Sequence, residues 1–100
     1  MTVKHIVIWK LSATEEADKA RDTARITELL TGLVGAIDTI RSLTVGVNGA
    51  YPEKNSDIAI VADFDDYAGL DTYQEHPAHQ AVAAEIRALV SGRAAIDYEY

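Results

Sequence analysis

The feature that most constrains this chain is its opening run, residues 3–11 (Val-Lys-His-Ile-Val-Ile-Trp-Lys-Leu), which is apolar on both sides at once. Its β-branched and aromatic residues favour extended backbone, and extended backbone alternates its side chains. His5, Val7, Trp9 and Leu11 then share one face, and Ile6 and Ile8 share the other. A strand with apolar side chains on both faces has to be covered on both. The rest of the chain must supply two covers.

One cover is written in helical periodicity. Ser12 followed by Glu15 reads as a capping box, with Thr14 a second N-cap candidate. Beyond it Ile26, Leu29, Leu30, Leu33, Val34 and Ile37 fall at helical spacing and form one amphipathic stripe. Small residues (Ala17, Ala20 and Ala24) hold that side in the first half, and Gly32 and Gly35 mark where the helix frays or ends. Residues 39–47 alternate again as a second strand, 48–56 carry the Gly, Pro and Asn of a loop, and 57–64 form a third strand. Asp65 or Asp66 caps a short helix through Tyr67, Leu70 and Tyr73. Pro77 interrupts it, residues 78–91 give a further helix with Val82, Ile86, Leu89 and Val90, and the terminal Arg-Ala-Ala-Ile-Asp-Tyr-Glu-Tyr alternates as a fourth strand.

The order β-α-β-β-α-β predicts an α+β, ferredoxin-like fold: a four-stranded antiparallel sheet with its helices on one face. The second cover is then missing. If Ile6, Ile8 and their neighbours lie on the bare face, they form an apolar patch of a kind monomers rarely expose. A second copy packed face to face would cover it, so a homodimer is expected.

Composition narrows the functions. One hundred residues make a single domain, 1–100, and 16 acidic against 9 basic residues give a net charge of −7. That balance argues against nucleic-acid and anionic-membrane partners, whose binding rests on Lys and Arg. The absence of cysteine removes disulfides, thiolate metal sites and Cys nucleophiles. No uncharged stretch approaches the roughly 20 residues of a membrane span. The opening residues have one early lysine and no small-residue cleavage site, so they do not read as a signal peptide. A cytoplasmic location is expected.

Three segments together resemble the stress-responsive A/B barrel (Dabb) family of the dimeric α/β-barrel superfamily: the opening strand, the Asp57–Asp66 strand-to-helix junction, and Tyr73-Gln74-Glu75-His76-Pro77-Ala78-His79. Ile96-Asp97-Tyr98 fits as well, and the Tyr-x-x-His-Pro-x-His element is the specific part. The resemblance implies two ferredoxin-like protomers pairing their sheets into a homodimeric α/β barrel. It also implies a small-molecule pocket. One enzymatic branch looks like a plant polyketide (olivetolic acid-type) cyclase, which closes a linear chain by aldol condensation without a cofactor. Its acid/base pair matches Tyr73 and His79 here, and its strand histidine matches His5. The branch carries bulky aromatics on its first helix where this chain has Thr23, Ala24 and Thr27, and the third strand opens on Ile58.

The chemistry these residues offer is specific. An imidazole can move a proton near neutral pH, and a Tyr hydroxyl can polarise a carbonyl oxygen. The candidate catalytic residues are therefore Tyr73, His79 and His5, with Val7, Trp9, Ala24, Thr27 and Val82 as substrate-binding walls. The same residues fit plainer roles: Tyr73 as core, His5 as a packed strand histidine, His79 as a cap, and His76 as a solvent-facing terminator whose ring caps free carbonyls. No metal site is expected, since Pro77 disturbs the helical spacing of His76 and His79 beside Glu75. Two functions fit: a cofactor-independent acid/base enzyme acting on a carbonyl substrate, or a non-catalytic stress-related dimer that holds a hydrophobic small ligand or is purely structural.

Overall fold

The computed structural model describes all 100 residues. Strand β1 (Val3–Leu11) is followed by α1 (Glu16–Thr31), a one-turn α2 (Leu33–Ala36), β2 (Ser42–Val47), β3 (Ile58–Phe64), α3 (Tyr67–Glu75), α4 (Pro77–Arg87) and β4 (Val90–Glu99). The four strands form one antiparallel sheet in the order β2-β3-β1-β4. Each helical crossover skips one strand position, which is the split β-α-β arrangement of a ferredoxin-like α+β fold.

The expected alternation in β1 is present: Val3, His5, Val7, Trp9 and Leu11 are buried, whereas Ile8 is exposed and Ile6 half-buried. Against the buried face lie Ile58, Ile60, Ala62 and Phe64 from β3 and Ile26, Leu30, Leu33 and Ile37 from the helical layer. Val34, counted in the helical stripe, is instead exposed. The four buried residues align on one side of a 3.6-residue turn, and Val34 falls on the flank.

Register places a second set together on the opposite face. Ile6 stands opposite Val61 and Ile96, Ile8 opposite Ala59 and Ala94, and Thr44 opposite Val61. No helix covers this face, and Ile96 and Ile8 are 58% and 40% exposed. At one end of it Asp63 accepts hydrogen bonds from Ser42 and Tyr100 and pairs with Lys4.

Several element boundaries differ from the sequence expectation, each for a local reason. Helix α1 starts at Glu16 with Glu15 as N-cap and no side-chain cap, so the Ser12 capping box does not form. The second strand begins at Ser42 rather than 39, because Arg41 N–H already turns to the Asp63 carbonyl while Ile40 drops into the core. The last helix ends at Arg87, short of 91. Leu89 carbonyl accepts Ser12 N–H, and Val90 stands opposite Leu11, so pairing with β1 claims residues that helical periodicity also fitted. Asp66 does cap α3, accepting Gly69 N–H at 2.8 Å.

A buried carboxylate ties the layers. Asp57 accepts Leu11 N–H at 2.8 Å and pairs with Lys19 of α1 at 3.2 Å. Burial works to raise its pKa, but the Leu11 bond and the Lys19 and Lys10 ammoniums outweigh it and hold the group below the ordinary carboxylate value. No helix is long and apolar enough to cross a membrane.

Candidate active site

Pro77 breaks the second helical stretch into α3 and α4, and the break brings the sequence-predicted side chains together. His76 has extended backbone, and its Nδ1 accepts Ala78 N–H at 3.0 Å, with Pro77 in the first helical turn. It therefore caps the start of α4 rather than the carbonyls of α3, and it is half-buried rather than fully in solvent. His79 does the complementary job: its Nδ1 lies 3.1 Å from the Gln74 carbonyl near the end of α3. A carbonyl only accepts, so Nδ1 carries the ring proton and the lone pair of the neutral imidazole sits on Nε2.

Tyr73, on the last turns of α3, is buried against Phe64 of β3, His5 of β1 and His79 of α4. Its ring centroid lies 4.5 Å from that of His79 and 5.8 Å from that of His5. His5 in turn donates a hydrogen bond from Nδ1 to Asp97, which faces it from β4. Both site histidines thus have Nδ1 engaged and Nε2 free of any partner in the chain.

These groups open onto a cavity of about 510 Å³ between the sheet and α3–α4. His5, Val7 and Trp9 line it from β1, Val82 and Ile86 from α4, and Leu30 from α1. Val7, Trp9 and Val82, expected as substrate-binding walls, are among the residues that line it. Ala24 and Thr27 are not: Ala24 is exposed, and the Thr27 hydroxyl donates to Thr23 carbonyl along its own helix. Residues two apart on a helix differ by about 200°, so burying Ile26 and Leu30 turns Ala24 outward.

Desolvation sets the protonation states. Burial pushes the Tyr73 hydroxyl up to about 12, so it stays a proton donor at neutral pH. Burial also lowers His79 below its ordinary 6.5, with His5 and Arg93 adding to the effect against the raising bond to Gln74. His79 is then a neutral base at pH 7 beside an intact phenol. Arg87 and Arg93 carry no signal in the sequence, and Asp97 enters there only within the Ile96-Asp97-Tyr98 segment, with no site role. Asp97 and Arg93 reach the site through the β1–β4 register, which no short motif announces. No three metal-ligating side chains converge in the structure.

The fold is thus a ferredoxin-like sheet with a cavity between its strands and helices, lined by a Tyr and two His. The chain belongs to the stress responsive A/B barrel domain (Dabb) family, whose model matches residues 3–100. It is 34% identical over 98 residues to an uncharacterized protein of Streptomyces coelicolor, covering 98% of this chain and 99% of that one. Among solved structures it is similar to a dimeric ferredoxin-like protein of unknown function from Bacteroides fragilis, at TM-score 0.88 and 31% identity over 99% of this chain and 96% of that one. A hydroxynitrile lyase from Passiflora edulis shares the fold at TM-score 0.81 with 15% identity, over 97% of this chain and 91% of that one.

Proposed function

We propose that this protein is a cofactor-independent acid/base enzyme acting on a small, largely apolar carbonyl compound. The observation that carries the reading is the His79 imidazole: neutral, tied at Nδ1 to Gln74, and bare at Nε2 beside the Tyr73 phenol in the cavity.

In the proposed reaction Nε2 of His79 takes the proton from a carbon next to the carbonyl. The electron pair moves onto the carbonyl oxygen, and the Tyr73 hydroxyl donates a hydrogen bond to that developing enolate. The enolate carbon then bonds to a second carbonyl carbon of the same molecule, and the alkoxide formed there takes the proton back from His79. This is aldol-type ring closure of the kind a polyketide cyclase performs. The Passiflora protein that shares the fold is a hydroxynitrile lyase. Nine of the sixteen lining residues are hydrophobic, which suits an apolar substrate body and strengthens each hydrogen bond inside. The bare sheet face supports a homodimer as the working form, as in the dimeric Bacteroides relative.

The test is exchange of the acidic C–H of 1,3-diketones and aryl-substituted 3,5-dioxo esters for deuterium, followed by NMR with product analysis. Tyr73→Phe and His79→Gln should each lower the catalysed rate by about 10²- to 10⁴-fold while the dimer stays folded. Full activity in both variants, or binding without any exchange in the wild type, overturns the enzymatic reading. The latter result would leave a protein that sequesters its ligand.

A further inference from the structure

Two of the three cations of this chain that lack a carboxylate partner lie at the cavity. Of the chain's nine Lys and Arg residues, six (Lys4, Lys10, Lys19, Arg21, Arg25 and Arg41) lie within 4 Å of a carboxylate. The three without such a partner are Lys54, Arg87 and Arg93, and the two arginines both line the Tyr73–His79 cavity. With 16 acidic residues in the chain, partners were plentiful. Arg87 has a partial structural account, because it occupies the last turn of α4, where a cation complements the helix dipole. Arg93 has none. Exposed on β4, it stands opposite Trp9 in the β4–β1 register, on the side of the sheet that faces the helices, and its guanidinium makes no hydrogen bond within the chain and lies over no aromatic ring. Glu75, also on the wall, pairs with neither arginine.

We propose that Arg93, assisted by Arg87, makes this cavity selective for carboxylate-bearing ligands: its substrates are apolar oxo acids whose carboxylate is held by the Arg93 guanidinium. A guanidinium presents paired N–H donors that match the two oxygens of a carboxylate, and a partly apolar wall makes that pairing stronger than in water. The apolar side chains Val7, Trp9 and Val82 receive the body of the ligand. The identification of the ligand as an oxo acid rests on the acid/base reading of Tyr73 and His79, whereas the preference for a carboxylate does not.

Calorimetric titration of the protein with 4-phenylbutyrate and with its neutral counterpart 4-phenylbutyramide separates the two. The acid should bind at least about tenfold more tightly than the amide. Arg93→Gln should abolish the difference, Arg93→Lys should retain part of it, and Lys54→Gln, remote from the cavity, should leave it whole. Tyr73→Phe should keep the acid preference even as turnover falls. Equal affinities for acid and amide, no binding of either, or an unchanged preference in Arg93→Gln overturns the proposal. A protein that prefers the acid but exchanges no proton would keep the anion subsite and lose the catalytic reading.

Discussion

Asp97 stands directly opposite His5 across the β1–β4 ladder, and its carboxylate accepts a hydrogen bond from Nδ1 of the buried imidazole. The pair does for His5 what the Gln74 carbonyl does for His79: it fixes which nitrogen carries the proton and leaves Nε2 without a partner in the chain. Two of the site's three rings are oriented by these bonds, and Tyr73 is held by packing against Phe64, His5 and His79.

Removing the carboxylate should be felt first as lost stability. Asp97→Ala leaves the Nδ1 donor of a residue that is only 2% exposed without a partner in the chain. An orphaned buried donor costs about 1–3 kcal/mol, and the half-open position of Asp97 places the expected loss at the lower end. Urea unfolding should show a lower midpoint with an unchanged slope, and nitrogen NMR should show His5 losing its single tautomer. Wild-type stability together with an unchanged tautomer would mean the bond does not orient the ring.

His79 makes a pH prediction. Its folded pKa is lowered chiefly by burial, so the folded ring refuses a proton that the unfolded ring accepts near 6.5. Between those two values the unfolded state binds more protons, and stability rises with pH there. The contribution is fully present above 6.5 and is lost as pH falls below it. The acid limb of kcat/KM should likewise have its midpoint below 6.5, since the free enzyme needs Nε2 bare. Proton NMR titration of the His79 ring, compared with the half-exposed His76, checks this without a substrate. A His79 midpoint at or above 6.5 would contradict the buried, neutral base.

The parts of this arrangement that sequence could show are those set by local spacing. The two-faced opening strand, the Ile26–Leu30–Leu33–Ile37 line and the Asp66 cap each follow from a period or a turn preference within a few residues. Tyr73 and His79 could be nominated because one proline break lies between them. What sequence could not show depends on pairing between distant segments. Asp97 meets His5 across 92 positions, and Arg93 reaches the cavity only because β4 pairs with β1 in this register. The same long-range pairing drew Leu89 and Val90 out of the expected helix. Ala24 and Thr27 are candidate walls in the sequence, but the rotation of α1 is decided by Ile26 and Leu30 packing into the core, and Leu30 lines the cavity where they do not.

The bare sheet face gives the remaining prediction. Ile8 points away from the helices, with Ala59 and Ala94 flanking it, and Ile6 with Val61 and Ile96 continues the patch. In the isolated protomer Ile8 is already 40% exposed, so a charge there is accessible to water and leaves the helix-side core of β1 untouched. In a face-to-face dimer with two-fold symmetry the substitution enters twice, and each charge is buried against an apolar surface. Burial of an unpaired charge costs of the order of several kcal/mol, and even about 3 kcal/mol of lost association weakens Kd by roughly 10²-fold. Ile8→Asp should therefore convert a dimer into a folded monomer at micromolar concentration, seen as halved mass by sedimentation equilibrium with an unchanged far-ultraviolet circular dichroism spectrum. Ile8→Val, which keeps the face apolar, should remain dimeric. A wild-type protein that sediments as a monomer, or an Ile8→Asp variant that stays paired, would show that this face is not where two copies meet.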